Sequence, residues 1–226
     1  MLKRMVDTNR YINVLSAMYE VLNSLPNDSK IGLRIFGPDL KSQMEIANGI
    51  NTNGDCYATS LLAPIQENNI SNIKNKMSQY TRPFGETLIG YSLMQAIKND
   101  FSYNSALKHI ILITDGEDGC GQNPCAYIRQ IMSSRNDIKI DVIAIASDEN
   151  KYSRLRCLSI ATNGEYYQVN NPSEIKVRLA NVLVRPQKNK TTETPNLKFE
   201  LISISVFPLN LGSISIETIE YLSSSL

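Results

Sequence analysis

The sequence predicts an α/β protein with a mostly parallel sheet covered by helices on both faces, and two observations carry that prediction. From residue 108 onward, segments of strand and helix character alternate at short spacing: strand 108–114, helix 124–134, strand 138–146, helix 151–162, strand 165–169 and helix 172–184. Repeated units of this kind imply right-handed crossovers between parallel strands. In addition, Ile110-Ile-Leu-Ile113 and Ile140-Asp-Val-Ile-Ala-Ile145 are apolar almost throughout, as strands buried on both faces should be.

The remaining elements follow from local periodicity. Ile12, Leu15, Met18, Leu22 and Leu25 recur every three or four positions, so residues 5–25 read as an amphipathic helix ended by Pro26. Ile31–Phe36 alternates like a strand and stops at Gly37-Pro38, and the polar region through Gly54 has room for a further strand. Cys56 to Ile65 is another extended candidate. Ile70, Ile73, Met77 and Tyr80 share one face of a second helix over residues 69–80, capped by Asn68 or Asn69. After the loop 81–86, Thr87 opens a third helix that runs to about Asn99. Residues 1–184 thus form one α/β domain. Residues 185–196, bracketed by Pro186 and Pro195, read as a linker. Beyond it, Leu197–Val206 and Ser213–Ile219 alternate with a period of two. This β extension over 197–226 is the start of a second domain or a hairpin packed on the main body, since two strands alone are marginal in water.

Composition restricts the partners. With 23 Lys+Arg against 22 Asp+Glu the formal charge is +1, and no basic block suggests a nucleic-acid or anionic-membrane surface. Hydrophobic residues make up 42% of the chain, yet no apolar run approaches the roughly 18 residues needed to span a bilayer. Met1-Leu-Lys-Arg-Met-Val-Asp7 leads into a helix pattern rather than an apolar signal-peptide core. Four cysteines, Cys56, Cys120, Cys125 and Cys157, allow two disulfides in three connectivities, an even number that suits an exported protein. A Cys120–Cys125 loop bridge and free thiols stand side by side as readings. Zinc is the poorer one, because the pair has no second Cys/His pair nearby. The single histidine, His109, reads as a strand-edge residue.

The chemistry concentrates after residue 114. Ligands of open parallel sheets bind at the carboxyl ends of the strands, where Asp115 stands at the end of an apolar strand, followed by Gly116, Glu117 and Asp118. A carboxylate there, beside a hydroxyl from another loop, is a plausible ligand pair for a hard cation. Thr87 supplies the hydroxyl candidate, and its plain reading is a helix N-cap. Glu117, Asp118 and Asp148 read as solvated loop carboxylates, Asp141 as exposed at a strand start, and Tyr166 and Tyr167 as alternating between core and solvent.

The order of elements, together with Leu112-Ile-Thr-Asp-Gly-Glu-Asp118, Arg82-Pro-Phe-Gly-Glu-Thr87, Leu155-Arg-Cys-Leu-Ser-Ile-Ala161 and Gly164-Glu-Tyr-Tyr167, resembles the von Willebrand factor type A domain. The similarity runs from residue 1 to about 184 and is closest to bacterial members, whose loop often looks like Asp118-Gly-Cys-Gly-Gln-Asn-Pro-Cys125. It implies a Rossmann-like fold and a module that binds protein or other macromolecular ligands through a divalent cation at a metal-ion-dependent adhesion site. Position by position, Thr87 resembles the family's threonine ligand and Asp115 its aspartate ligand. The cofactor implied is Mg²⁺, or Mn²⁺ or Ca²⁺ in its place.

One departure is as informative as the match. The family's first metal loop, Asp-x-Ser-x-Ser at the end of a central first strand, has no counterpart here, and residues 1–7 look like those that would follow it. The expectation is an N-terminally truncated domain with weak or absent metal binding, two exposed apolar sheet edges and a tendency to self-associate. A full-length form is expected outside the cytoplasm, in the periplasm, secreted or on the surface. Two other classes stay in view: a metal-independent interaction scaffold, and a phosphoryl-transfer or hydrolase enzyme. The enzyme lacks support, because neither a phosphate-binding glycine loop, a G-x-S-x-G elbow nor a second histidine is present.

Overall fold

A computed structural model describes residues 2–36, 55–57, 59–79, 87–101, 107–145, 153–184 and 200–206. Helix α1 (Leu2–Ser24) buries Val14, Ala17, Met18, Val21 and Leu22, an i, i+3, i+4, i+7, i+8 stripe along one face. Strands β1 (Lys30–Phe36) and β2 (Thr59–Gln66) pair antiparallel, with register shifts around Gly32. A Cβ at Gly32 would stand 2.8 Å from Ile65 Cγ1 and 3.0 Å from the Ala63 carbonyl oxygen, so the close approach of the two strands requires glycine there.

The chain continues through α2 (Ile70–Gln79), α3 (Ile89–Gln95) with a π-turn at Ala96–Asp100, β3 (Lys108–Thr114), α4 (Pro124–Met132), β4 (Ile138–Ile145), α5 (Arg156–Ala161), β5 (Tyr166–Val169), α6 (Pro172–Val184) and β6 (Glu200–Val206). The sheet order is β2-β1-β6-β3-β4-β5, and every pairing except β1 with β2 is parallel. All seven residues of β3 are buried. Ile111 and Ile113 join a core with α1, α2 and α6, whereas Ile110 and Leu112 join a second core with α3, α4 and α5. Burying each such side chain contributes about 1.5–3 kcal/mol. That alternation is the Rossmann-like, doubly covered architecture the sequence predicts.

Three polar expectations are corrected. Asp141 is fully buried, not exposed, and its Oδ2 lies 2.7 Å from His109 Nε2, itself buried rather than at a strand edge. The Glu165 amide donates to Asp141 Oδ1 at 2.6 Å and Lys139 Nζ stands 3.2 Å from Oδ2. Burial by itself would raise the Asp141 carboxyl, but the hydrogen bond and charge of His109, the Glu165 N–H and Lys139 together hold it below the ordinary carboxylate range. Two polar groups inside a sheet thus satisfy each other, which a one-dimensional hydropathy pattern does not record. Tyr166 and Tyr167 do not divide between core and solvent either. Each is half-buried and they pack against opposite cores, because helices cover both faces.

Arg34 on β1, 6% exposed, forks onto Asp100 through Nε (2.5 Å) and Nη2 (2.6 Å) and ties the sheet to the end of the π-turn. The 185–196 segment and the second tail strand, Ser213–Ile219, lie outside the described residues, as does the possible strand before Gly54. The first tail strand is in the sheet as β6. It pairs in parallel with β1 (Lys30–Ile35 against Glu200–Ser205) and with β3 (Lys108–Thr114 against Glu200–Val206). The two apolar edges expected to stand open are therefore both occupied, since unpaired backbone N–H and C=O groups between two apolar layers demand partners. Among the described residues no helix is long and apolar enough to cross a membrane.

Candidate functional site

The site is built at the carboxyl end of β3. Thr114, fully buried, donates its hydroxyl to the Gly116 carbonyl (2.9 Å) and accepts the Gly116 amide (3.2 Å). This short side-chain turn fixes the backbone on both sides of Asp115. A Cβ on Gly116 would come 3.2 Å from Thr87 Oγ1, so the hydroxyl of Thr87 lies against the residue next to Asp115. The Gly119 amide donates to the Thr87 carbonyl at 2.8 Å. The structure thereby brings Thr87 to the Asp115 loop. Thr87 is 3% exposed and Asp115 is half-buried.

Thr87 is not the N-cap it was expected to be. The cap position of α3 belongs to Leu88, which offers no side-chain acceptor. Asp118 does the capping from the other loop: its Oδ2 accepts the Gly90 amide at 2.8 Å, while Oδ1 accepts the amides of Cys120 (3.0 Å) and Gln122 (3.1 Å). A carboxylate at a helix N-terminus also answers the positive end of the helix dipole. Asp118 is therefore an organising group instead of a solvated one, and sequence reasoning missed it because its main partner lies 28 positions away. Glu117 matches the solvated reading better, with one long contact of 3.5 Å to the exposed Arg154 that contributes little. Asp148 lies outside the described residues.

Disulfides hold the same loop from two sides, and the pairing differs from the expected Cys120–Cys125 bridge. Cys120 is joined to Cys56 and Cys125 to Cys157. Asn123 and Pro124 start α4 between the two loop cysteines, with the Ala126 amide donating to Asn123 Oδ1 at 3.0 Å. Cys125 thus belongs to the first turn of a helix facing α5, while Cys120 stays in the loop against the Asp55–Tyr57 turn. Spacing along the chain does not decide between connectivities.

Among the described residues, no group of three or more His, Cys, Asp or Glu side chains is placed to hold a metal ion. Thr87 and Asp115 offer one hydroxyl and one carboxylate, hard oxygens of the type Mg²⁺ takes. Two such groups are fewer than an octahedral set needs.

No protein-family model matches this chain. YwmD of Bacillus subtilis is 26% identical over 153 residues, 67% of this chain and 66% of that protein, and YwmC of the same organism is 24% identical over 182 residues, 78% and 74% respectively. Among solved structures, proximal thread matrix protein 1 from the mussel byssus superposes with a TM-score of 0.57 at 18% identity, covering 80% of this chain and 43% of that one. A von Willebrand factor type A structure from Catenulispora acidiphila superposes at 0.56 and 18% identity, covering 76% and 38%. The fold is that of a von Willebrand factor type A domain. A form of the mussel protein with a zinc-occupied MIDAS motif also shares this type A fold, at a TM-score of 0.54 and 16% identity. The chain spans about two thirds of YwmD and less than half of these solved chains.

Proposed function

We propose that this chain is a non-enzymatic binding module on a type A fold, recognising a protein or other macromolecular ligand at the carboxyl end of its sheet. Asp115 and Thr87 are two arms of a metal-ion-dependent adhesion site, for Mg²⁺ or for Mn²⁺ or Ca²⁺ in its place. The observation that carries this reading is the meeting of Thr87 with the Asp115 loop, through the 3.2 Å approach at Gly116 and the Gly119–Thr87 hydrogen bond. A bound cation would supply a positive centre able to accept a carboxylate of the ligand, while the disulfides and Asp118 keep the two loops in place. With one hydroxyl and one carboxylate as its side-chain ligands, this site binds metal weakly. The two disulfides support an extracytoplasmic setting.

A second reading, a metal-independent scaffold, is favoured by the hydrogen bonds of Thr114 and Asp118 and the Cys56–Cys120 bridge, which order the Asp115 loop through protein groups alone. Calorimetric titration of Mg²⁺ and Mn²⁺ into this chain and its Asp115→Ala and Thr87→Ala variants separates the two. Heat that is present in the unaltered chain and vanishes in both variants supports the adhesion site. Equal heats in all three leave the scaffold.

A further inference from the structure

We propose that Tyr57 and Tyr91 form an aromatic docking surface beside the Asp115 loop, and that its occupant is an arginine side chain presented by a protein partner. The proposal rests on the reading that the ligand docks at the carboxyl end of the sheet, and it is independent of any metal.

The two rings meet edge to face, with centroids 5.2 Å apart and planes at 89°. Tyr57 is 67% exposed and Tyr91 is half-buried. An edge-to-face contact uses one ring face only, so the pair keeps aromatic surface turned to solvent. Both rings stand on backbone that is fastened to the same loop. Tyr57 follows Cys56, which is bridged to Cys120 across a Cα–Cα distance of 5.5 Å. Tyr91 follows Gly90, whose amide donates to Asp118 Oδ2 at 2.8 Å. A covalent bond and a charged hydrogen bond therefore place two amphipathic rings at the rim of the loop before any ligand arrives. Tyrosines held in advance lose little conformational entropy on binding, which suits them to recognition.

The charge of the loop selects the occupant. Residues 115–125 contain Asp115, Glu117 and Asp118 and no Lys, Arg or His. Arg154 approaches Glu117 to 3.5 Å, and with it counted the negative charges still outnumber the positive by three to one. The ring faces carry the negative lobes of the aromatic quadrupole. Loop and rings thus present one sign to an incoming group, which favours a cation and opposes a carboxylate. Of the two cationic side chains, arginine fits better: its planar guanidinium stacks on a ring while its fork donates to carboxylate oxygens, and it is less strongly hydrated than an ammonium. The same contact occurs twice within the chain, with Arg156 standing 5.2 Å from the Tyr166 ring centroid and Arg178 5.0 Å from that of Tyr167.

Fluorescein-labelled short peptides that alternate glycine with arginine, with lysine or with glutamate test this on the full chain by fluorescence anisotropy, in buffer containing EDTA. The arginine peptide should bind saturably and more tightly than the lysine peptide, and the glutamate peptide should not bind. Tyr57→Ala should weaken the arginine peptide roughly threefold to tenfold, whereas Tyr57→Phe, which keeps the ring, should bind it as the unaltered chain does. Tyr57 is exposed, so both variants should melt with the unaltered chain; if Tyr57→Ala does not, Tyr57→Leu takes its place. An arginine peptide that fails to bind, or that binds equally well without the Tyr57 ring, overturns the proposal. A glutamate peptide that binds as tightly as the arginine one also overturns it. The outcome is separable from that of the metal titration. Arginine-peptide binding that needs Tyr57 in a chain giving no Mg²⁺ heat removes the adhesion site alone. Mg²⁺ heat that needs Asp115 in a chain whose peptide binding ignores Tyr57 removes the aromatic surface alone.

Discussion

Removing the Asp118 carboxylate should loosen the junction between the two site loops by a graded amount that the hydrogen-bond geometry sets. Three backbone amides converge on this side chain: Gly90 on Oδ2 at 2.8 Å, and Cys120 and Gln122 on Oδ1 at 3.0 and 3.1 Å. A hydrogen bond to a charged acceptor contributes about 1.5–3 kcal/mol, but this loop is only half-buried and water can replace part of each bond. Asp118→Ala should therefore cost about 2–4 kcal/mol in total. Asp118→Asn retains the Oδ1 acceptor and presents an amide NH₂ to the Gly90 N–H, so it loses one bond and should cost about 1–2 kcal/mol. For a chain of this size each kcal/mol lowers Tm by about 2–4 °C. Urea unfolding and thermal melts give the two costs, and amide hydrogen exchange at Gly90 locates them. Equal losses in the two variants, or an unchanged exchange rate at Gly90, would show that Asp118 does not bridge the loops.

Other parts of the structure make equally direct predictions. Asp141→Ala should cost about 3–5 kcal/mol by stranding His109 and Lys139, whereas the His109→Leu/Asp141→Leu pair should recover much of that loss; urea midpoints that show no recovery argue against mutual compensation. Because the folded Asp141 carboxyl is depressed, its stabilisation is present above the unfolded value of about 3.9 and is lost as pH falls through the lower folded value. An Asp141→Asn chain should accordingly show a flatter stability profile below about pH 4. Gly164→Ala places a Cβ 1.9 Å from the Ile140 carbonyl oxygen and should cost about 3 kcal/mol or more. Gly121→Ala meets only a positive φ of 68° in open space and should cost about 1–2 kcal/mol; the reverse order in thermal melts contradicts the packing described. Non-reducing peptide mapping should recover Cys56–Cys120 and Cys125–Cys157 linked fragments. Serine replacement of either pair should cost about 3–4 kcal/mol, with the 64-residue separation costing slightly more than the 32-residue one.

What the sequence by itself determined is local and periodic. Residues 108–114 and 138–145 declare themselves as buried strands because both faces are apolar, and α1 and α2 because their apolar residues repeat at the helical period. The carboxyl-end position of Asp115 follows from the same pattern, since the strand that delivers it is unmistakable. Thr87 was legible through the turn that precedes it and the resemblance that turn carries. The tertiary structure alone decided the rest: that Asp118 caps a helix 28 positions away, that Asp141 and His109 meet in the interior, that Cys120 pairs with Cys56, and that Glu200–Val206 enters between β1 and β3. The physical reason is common to all four. A hydropathy period records how a residue meets its own helix or strand, whereas a hydrogen bond, a disulfide or a strand register depends on which distant segment the folded chain brings alongside.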